Sequence, residues 1–262
     1  MIVLLDLCCL CSEFKNKYMS GHSKWHNIQG RKGKQDKLKA NQFTKIGRMI
    51  TLAAREGGND LGANFGLRLA IEKARAVNMP KDNIDRAVKR GTGELNDGAH
   101  LEEIMYEGFG SHGVAFLVDA FTDNKNRTAG EIKHAFSSYG GSLGAPGSVQ
   151  WQFERKGIVR IAENQKEVVR AKMSDIELSL IDAGIDDMIE SDYGFEIICP
   201  VPQFQKVLEV VQSYGIAPEE SGLEWLPKET MQLDSDAAEK VAALYDILDD
   251  MDDVRAVYTN EK

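Results

Sequence analysis

The chain has 262 residues, 42% of them hydrophobic and 28% charged, which excludes a disordered polypeptide and leaves room for two or three domains. No apolar run reaches the ~18–20 residues of a membrane-spanning helix. The apolar opening at 1–10 contains Asp6 and lacks both a basic leader and a small-residue cleavage site, so the expectation is a cytoplasmic protein without a membrane partner. The net charge of −9 argues at first against a polyanionic partner. It is strongly segregated, however. Residues 19–94 carry 16 Lys/Arg against 7 Asp/Glu, a net of +9, whereas residues 95–262 carry 14 against 32, a net of −18. Asymmetry of that kind points to nucleic acid at the basic end.

Cysteine usage fits a reducing compartment. Cys8, Cys9 and Cys11 crowd the first eleven residues and only Cys199 lies in the body of the chain, which is neither a disulfide framework nor a zinc pattern. Residues 1–18 are expected to be a structureless extension ahead of Met19.

Residues 21–36, GHSKWHNIQGRKGKQD, have three glycines and no hydrophobic period, and read as a mobile arm. Lys24, Arg31, Lys32 and Lys34 supply charge for phosphates, and Trp25, flanked by His22 and His26, supplies a ring for stacking. The two histidines have no third ligand nearby, so no metal is expected. An amphipathic helix follows over 34–56, closed by Gly57-Gly58. Phe43, Ile46, Ile50 and Ala53 fall within an arc of about 80°. Lys34, Lys37, Lys45, Arg48 and Arg55 fall within another arc of about 80°, nearly opposite, with Lys39 and Leu52 breaking the separation. That basic face is the expected phosphate-binding surface. Leu67, Ala70, Ile71, Ala74 and Val77 form the stripe of a core-facing helix. Pro80 then opens a short helix that Gly91 closes, with Ile84, Ala87 and Val88 on one side and Arg86, Lys89 and Arg90 on the other.

The acidic remainder alternates strands and helices. Strands are expected at 113–121, 148–153, 157–161, 195–199 and 254–258, and helices at 126–139, 167–182, 202–214 and 237–248. The order fits two β-α-β-β-α-β units, the first split by the second. Two catalytic look-alikes fail on context. Gly108–Gly113 matches G-x-G-x-x-G but precedes a strand, and Gly140–Gly144 matches G-x-S-x-G with no histidine after it, since His134 is the last. The glycine-rich loop at 140–147 reads equally as an ordinary connection or as a close-approach contact through Gly144, Gly147 and Ser148. The acidic run Asp246, Asp249, Asp250, Asp252 and Asp253 lacks calcium-loop spacing and reads as a solvated helix end.

Several ordered blocks carry a resemblance. MSGHSKWHNI at 19–28, ANFGLR at 63–68, NMPKDNI at 78–84, YEG at 106–108 and GAPGSV at 144–149 resemble the YebC family, which includes mitochondrial translational activators of cytochrome oxidase. The likeness runs from Met19 to the C-terminus and omits residues 1–18. It implies an α+β protein of three domains: helical domain I over 19–97, and two ferredoxin-like α/β domains, domain II over 98–153 and 223–262 with domain III, 154–222, inserted. It also implies a non-enzymatic regulator with no cofactor and no small-molecule substrate. Its partner would be either ribosomal RNA, in relief of stalling at proline-rich stretches, or DNA, in transcription.

Overall fold

The computed structural model describes residues 35–95 and 101–261, with side chains described from residue 42 onward. The chain divides into two compact units, one running to Gln150 and resuming over Leu233–Thr259, the other built on Trp151–Gln232.

The first unit begins with three helices: α1 (Gln35–Gly57), α2 (Phe65–Ala76) and α3 (Lys81–Gly91). Their apolar stripes meet in one core of Ile50, Ala54, Leu67, Ala70, Ile71, Ala74, Met79, Ile84 and Ala87. Burial of these faces, rather than intrinsic propensity, holds helices of 11 and 12 residues, since such lengths are marginal alone. Asn64 joins the first two. Its carbonyl oxygen accepts from the Leu67 amide as the α2 N-cap, while its Nδ2 donates to the Ala53 and Gly58 carbonyls at 2.7 and 2.8 Å. Gly91 allows α3 to lie against α1, because a Cβ there would stand 2.3 Å from the Thr51 carbonyl oxygen. Thr51 completes that seam by donating from Oγ1 to the Ala87 carbonyl at 3.1 Å.

The same unit contains a four-stranded antiparallel sheet in the order β3-β1-β2-β8, made by β1 (Glu102–Phe109), β2 (Ala115–Thr122), β3 (Ser142–Leu143) and β8 (Val254–Thr259). Strand β2 is buried over its whole length, which accounts for its apolar run, interrupted only by Asp119, whose buried carboxylate pairs with Arg255. Helix α4 (Lys125–Ser138), capped by Asn124, turns Ile132, Ala135 and Phe136 inward, and the Phe136 ring meets Phe116 edge-on at 5.6 Å. Helix α8 (Ser235–Asp249), capped by Asp234, leads into β8. The unit's sheet opens with the β1–β2 hairpin and has these two strands at its centre, so both its connectivity, ββαβ…αβ, and its strand order differ from the expected ferredoxin-like βαββαβ.

The second unit does follow βαββαβ. Strand β4 (Phe153–Ala162) leads to the helix pair α5 (Lys166–Ala171) and α6 (Met173–Ala183), then β5 (Asp187–Ser191), β6 (Gly194–Pro200), α7 (Phe204–Ser213) and β7 (Glu220–Pro227). The sheet order is β5-β6-β4-β7. One helix expected over 167–182 is two, broken at Lys172 (φ −120°, ψ 17°). Two strands expected at 148–153 and 157–161 are one, preceded by a single 3-10 turn at Gln150–Gln152. The expected junction at 222/223 falls within β7, which pairs with β4 as far as Pro227. Arg160, 1% exposed, is held by Glu196 at 2.7 Å, Glu224 at 2.7 and 3.1 Å, and Glu220 at 3.2 Å. Burial alone would lower its pKa, but the three carboxylates outweigh it and keep the guanidinium charged.

Two glycines of α1 and α3 give opposite expectations. Gly91→Ala should cost about 1–3 kcal/mol through collision with the Thr51 carbonyl. Gly47→Ala, whose Cβ meets nothing within 4 Å, should stabilise by about 0.5–1 kcal/mol through helix propensity. Urea midpoints of the two variants check both signs.

Candidate nucleic-acid interface

The polar face of α1 is engaged within the first unit. Lys45 Nζ donates to the Asp249 carbonyl and lies 3.8 Å from its carboxylate. Arg48 Nη1 pairs with Asp253 at 2.6 Å and donates to the carbonyls of Asp252 at 2.5 Å and Phe121 at 3.3 Å. Arg55 Nη2 donates to the Leu101 carbonyl at 2.5 Å. The basic stripe read from the sequence as a phosphate-binding face thus spends these three side chains on the sheet domain. The acidic run at the end of α8, expected to be merely solvated, is the docking site of Lys45 and Arg48. Opposite charges separated by about 200 positions in the chain meet in space, which a sequence period cannot register.

Asp253 is the centre of this contact. It is 5% exposed and accepts from Arg127 at 2.8 Å, Thr128 at 2.6 Å and Thr122 at 3.1 Å while pairing with Arg48. Burial alone would raise its pKa, but hydrogen bonds from Arg127 and Thr128 and the charges of Arg48 and Arg127 hold it below the usual carboxylate value.

What α1 does not occupy is the outer face of α3. Arg86, Lys89 and Arg90 are exposed there, opposite buried Ile84 and Ala87. Between α3 and α1 lies a cleft of about 410 Å³ lined by Phe43, Thr44, Gly47, Arg48, Met79, Asn83, Arg86, Ala87 and Arg90. Sequence reading placed Phe43 in the core stripe and did not single out Asn83. The available signal was Gly47, a mid-helix glycine that leaves one wall of the cleft without a side chain. Lys37 lies in α1, but its side chain is outside the described residues, as are His22, Lys24, Trp25, His26, Arg31, Lys32 and Lys34 altogether.

The loop with Gly144, Gly147 and Ser148 has a defined shape set by Glu107, which sequence reading also missed. The Glu107 carboxylate accepts from the amides of Gly147 and Val149 at 2.6 Å and Gln150 at 2.8 Å, and the Gly144 amide donates to the Glu107 carbonyl at 2.7 Å. These bonds convert the expected strand at 148–153 into a turn. Burial alone would raise the Glu107 pKa; the three amide donors outweigh it and lower it. Gly147 has φ +85°, a conformation suited to glycine. The look-alike motifs lie in the wrong contexts for catalysis. Residues 108–113 run from the end of β1 into the turn before β2, and 140–144 run from the end of α4 through β3. No helix among the described residues is long and apolar enough to cross a membrane.

A basic helical segment joined to one α/β unit, with a second α/β unit inserted in sequence, defines the class of α+β protein to which the comparisons assign the chain. The family model described as the TACO1/YebC protein N-terminal domain matches residues 23–94, and that described as the TACO1/YebC second and third domain matches 101–261. The chain belongs to the YebC/TACO1 family. It is 48% identical over 243 residues to a probable transcriptional regulatory protein of Fusobacterium nucleatum, covering 92% of this chain and 95% of the relative. It is 49% identical to another so named from Thermoanaerobacter pseudethanolicus, covering 92% and 96%. The crystal structure of a conserved hypothetical protein from Aquifex aeolicus superposes with a TM-score of 0.80 at 38% identity, covering 88% of this chain and 93% of that one.

The depressed pKa values of Asp253 and Glu107 set an acid limit. Each contributes stability that is complete above the ordinary carboxylate range and is lost as pH falls through about 4 towards the lower folded values. Asp253→Asn should cost about 2 kcal/mol at neutral pH and flatten the loss of stability between about pH 5 and 3. Urea unfolding across that range measures both.

Proposed function

We propose that the chain is a non-enzymatic, nucleic-acid-binding regulator of gene expression that acts on the ribosome, relieving stalling at proline-rich stretches, with helical domain I on ribosomal RNA. The observation that carries this reading is the exposed Arg86-Lys89-Arg90 face on a segment of net charge +9, in a chain otherwise at −18. Phosphates are drawn to that face and repelled by the rest. The geometry favours structured RNA over sequence reading in duplex DNA. Helix α3 has 11 residues and its exposed side also bears Asp82 and Asp85, which disfavour insertion into a major groove. The ordered 144–150 loop, with Gly147 exposed, suits close approach to an RNA or ribosomal-protein surface. The relatives' names support the second reading, a transcriptional regulator that uses the same face on DNA phosphates.

The test is the triple variant Arg86→Gln, Lys89→Gln, Arg90→Gln, assayed against purified ribosomes and a duplex DNA of mixed sequence over a salt series. Ribosome affinity should fall about tenfold or more, and the salt slope should shrink by about 2. Unchanged affinity and slope would remove α3 from the interface. Tight DNA binding without ribosome binding would favour the transcriptional reading.

A further inference from the structure

We infer that the cleft between α1 and α3 receives a single unpaired nucleotide of RNA, its base inside and its phosphate at the rim. The inference rests on the proposed RNA-binding role of domain I and specifies what that domain selects. The cleft volume of about 410 Å³ lies within the range of small-ligand sites, about 300–1,000 Å³. Its wall is apolar where Phe43, Met79 and Ala87 contribute, and Gly47 leaves space where any other residue of α1 would project a side chain. Arg86 and Arg90 line it from α3, and none of its described lining residues is acidic. That combination, an aromatic and apolar interior beneath guanidinium groups, complements a nucleotide: a flat base with an attached anion. A metal ion or a cationic ligand would find no carboxylate here.

Asn83 adds selectivity. Its side-chain amide offers one donor and one acceptor at the cleft, the pairing needed by the edge of a base. Arg48 forms the opposite wall, and its guanidinium is fixed by Asp253 and two carbonyls. The cleft is therefore shaped before the ligand arrives, and little ordering cost falls on binding. It is also open on one side, as a nucleotide still joined to its neighbours requires. Unpaired, extruded nucleotides are a feature of bulges and loops in structured RNA, and a fully paired duplex presents none.

The experiment compares the full-length chain on two fluorescein-labelled RNA hairpins, one fully paired and one with a single bulged nucleotide, by anisotropy. Wild type should bind the bulged hairpin about tenfold more tightly, the scale of one stacked base. Gly47→Leu, which fills the cleft from a position with no neighbour within 4 Å, should reduce that ratio to about one. Asn83→Ala, an exposed change that does not touch the core, should retain a ratio above one but level the preference among the four bulged bases. Thermal unfolding of both variants verifies that they fold. Equal binding of the two hairpins by wild type would overturn the nucleotide site while leaving RNA binding intact; binding of neither would overturn both readings. A ratio retained in Gly47→Leu would overturn the site; displacement of the bulged hairpin by an equal concentration of free nucleoside monophosphate would overturn the assignment to RNA in favour of a free nucleotide. A bulged DNA hairpin bound as tightly as its RNA counterpart would overturn the assignment to RNA.

Discussion

The placement of the helical domain on the first sheet depends on one buried carboxylate. Asp253 stands where the acidic segment after α8 turns into β8, and it gathers Arg48 from α1, Arg127 from α4, and the hydroxyls of Thr122 and Thr128. A carboxylate removed from water requires such compensation, because an uncompensated charge in that setting costs several kcal/mol. With both oxygens satisfied, the contact fixes α1 in rotation about its axis. Lys45 and Arg55, which lie on the same face as Arg48, then also reach the sheet domain. The consequence for function is direct. Lys45, Arg48 and Arg55 on the basic face of α1 are committed within the protein, so among the described residues the cationic surface offered to a ligand passes to α3.

The second unit uses charge differently. Arg160 and its three glutamates sit on the same side of the sheet as Ile158, Ile198 and Leu226, so the ion cluster shares a face with an apolar cluster. The bidentate geometry towards Glu224 satisfies the planar guanidinium, a role lysine would fill poorly. Both units therefore place arginine where charge is removed from solvent, and both leave lysine mostly at surfaces.

Much of the fold was legible from residue order. The α2 stripe, the capped helices α4 and α8, and the β6–α7 pair were all readable, because burial of one face imposes a period on the sequence. Strands β1 and β5 and the final β7 were not. Each is rich in acidic residues, for example Glu102, Glu103 and Glu107 in β1, and such composition disguises a strand. The segment 148–152 misled for the opposite reason. Its Val149, Gln150 and Trp151 favour a strand, but Glu107 captures the amides of Gly147, Val149 and Gln150 in a turn. The candidate site was half visible. Cationic side chains on α3 follow from helical spacing alone. The diversion of Lys45, Arg48 and Arg55, and the cleft behind Phe43, depend on contacts far apart in sequence.

Hydrogen–deuterium exchange of the full-length chain, with and without a structured ribosomal RNA fragment, addresses the central claim most directly. The α3 surface and adjoining cleft predict slowed exchange in peptides spanning 81–91 and 43–47, with peptides of the acidic second unit little changed. Protection confined to residues 151–232, with 43–47 and 81–91 unaffected, would contradict it.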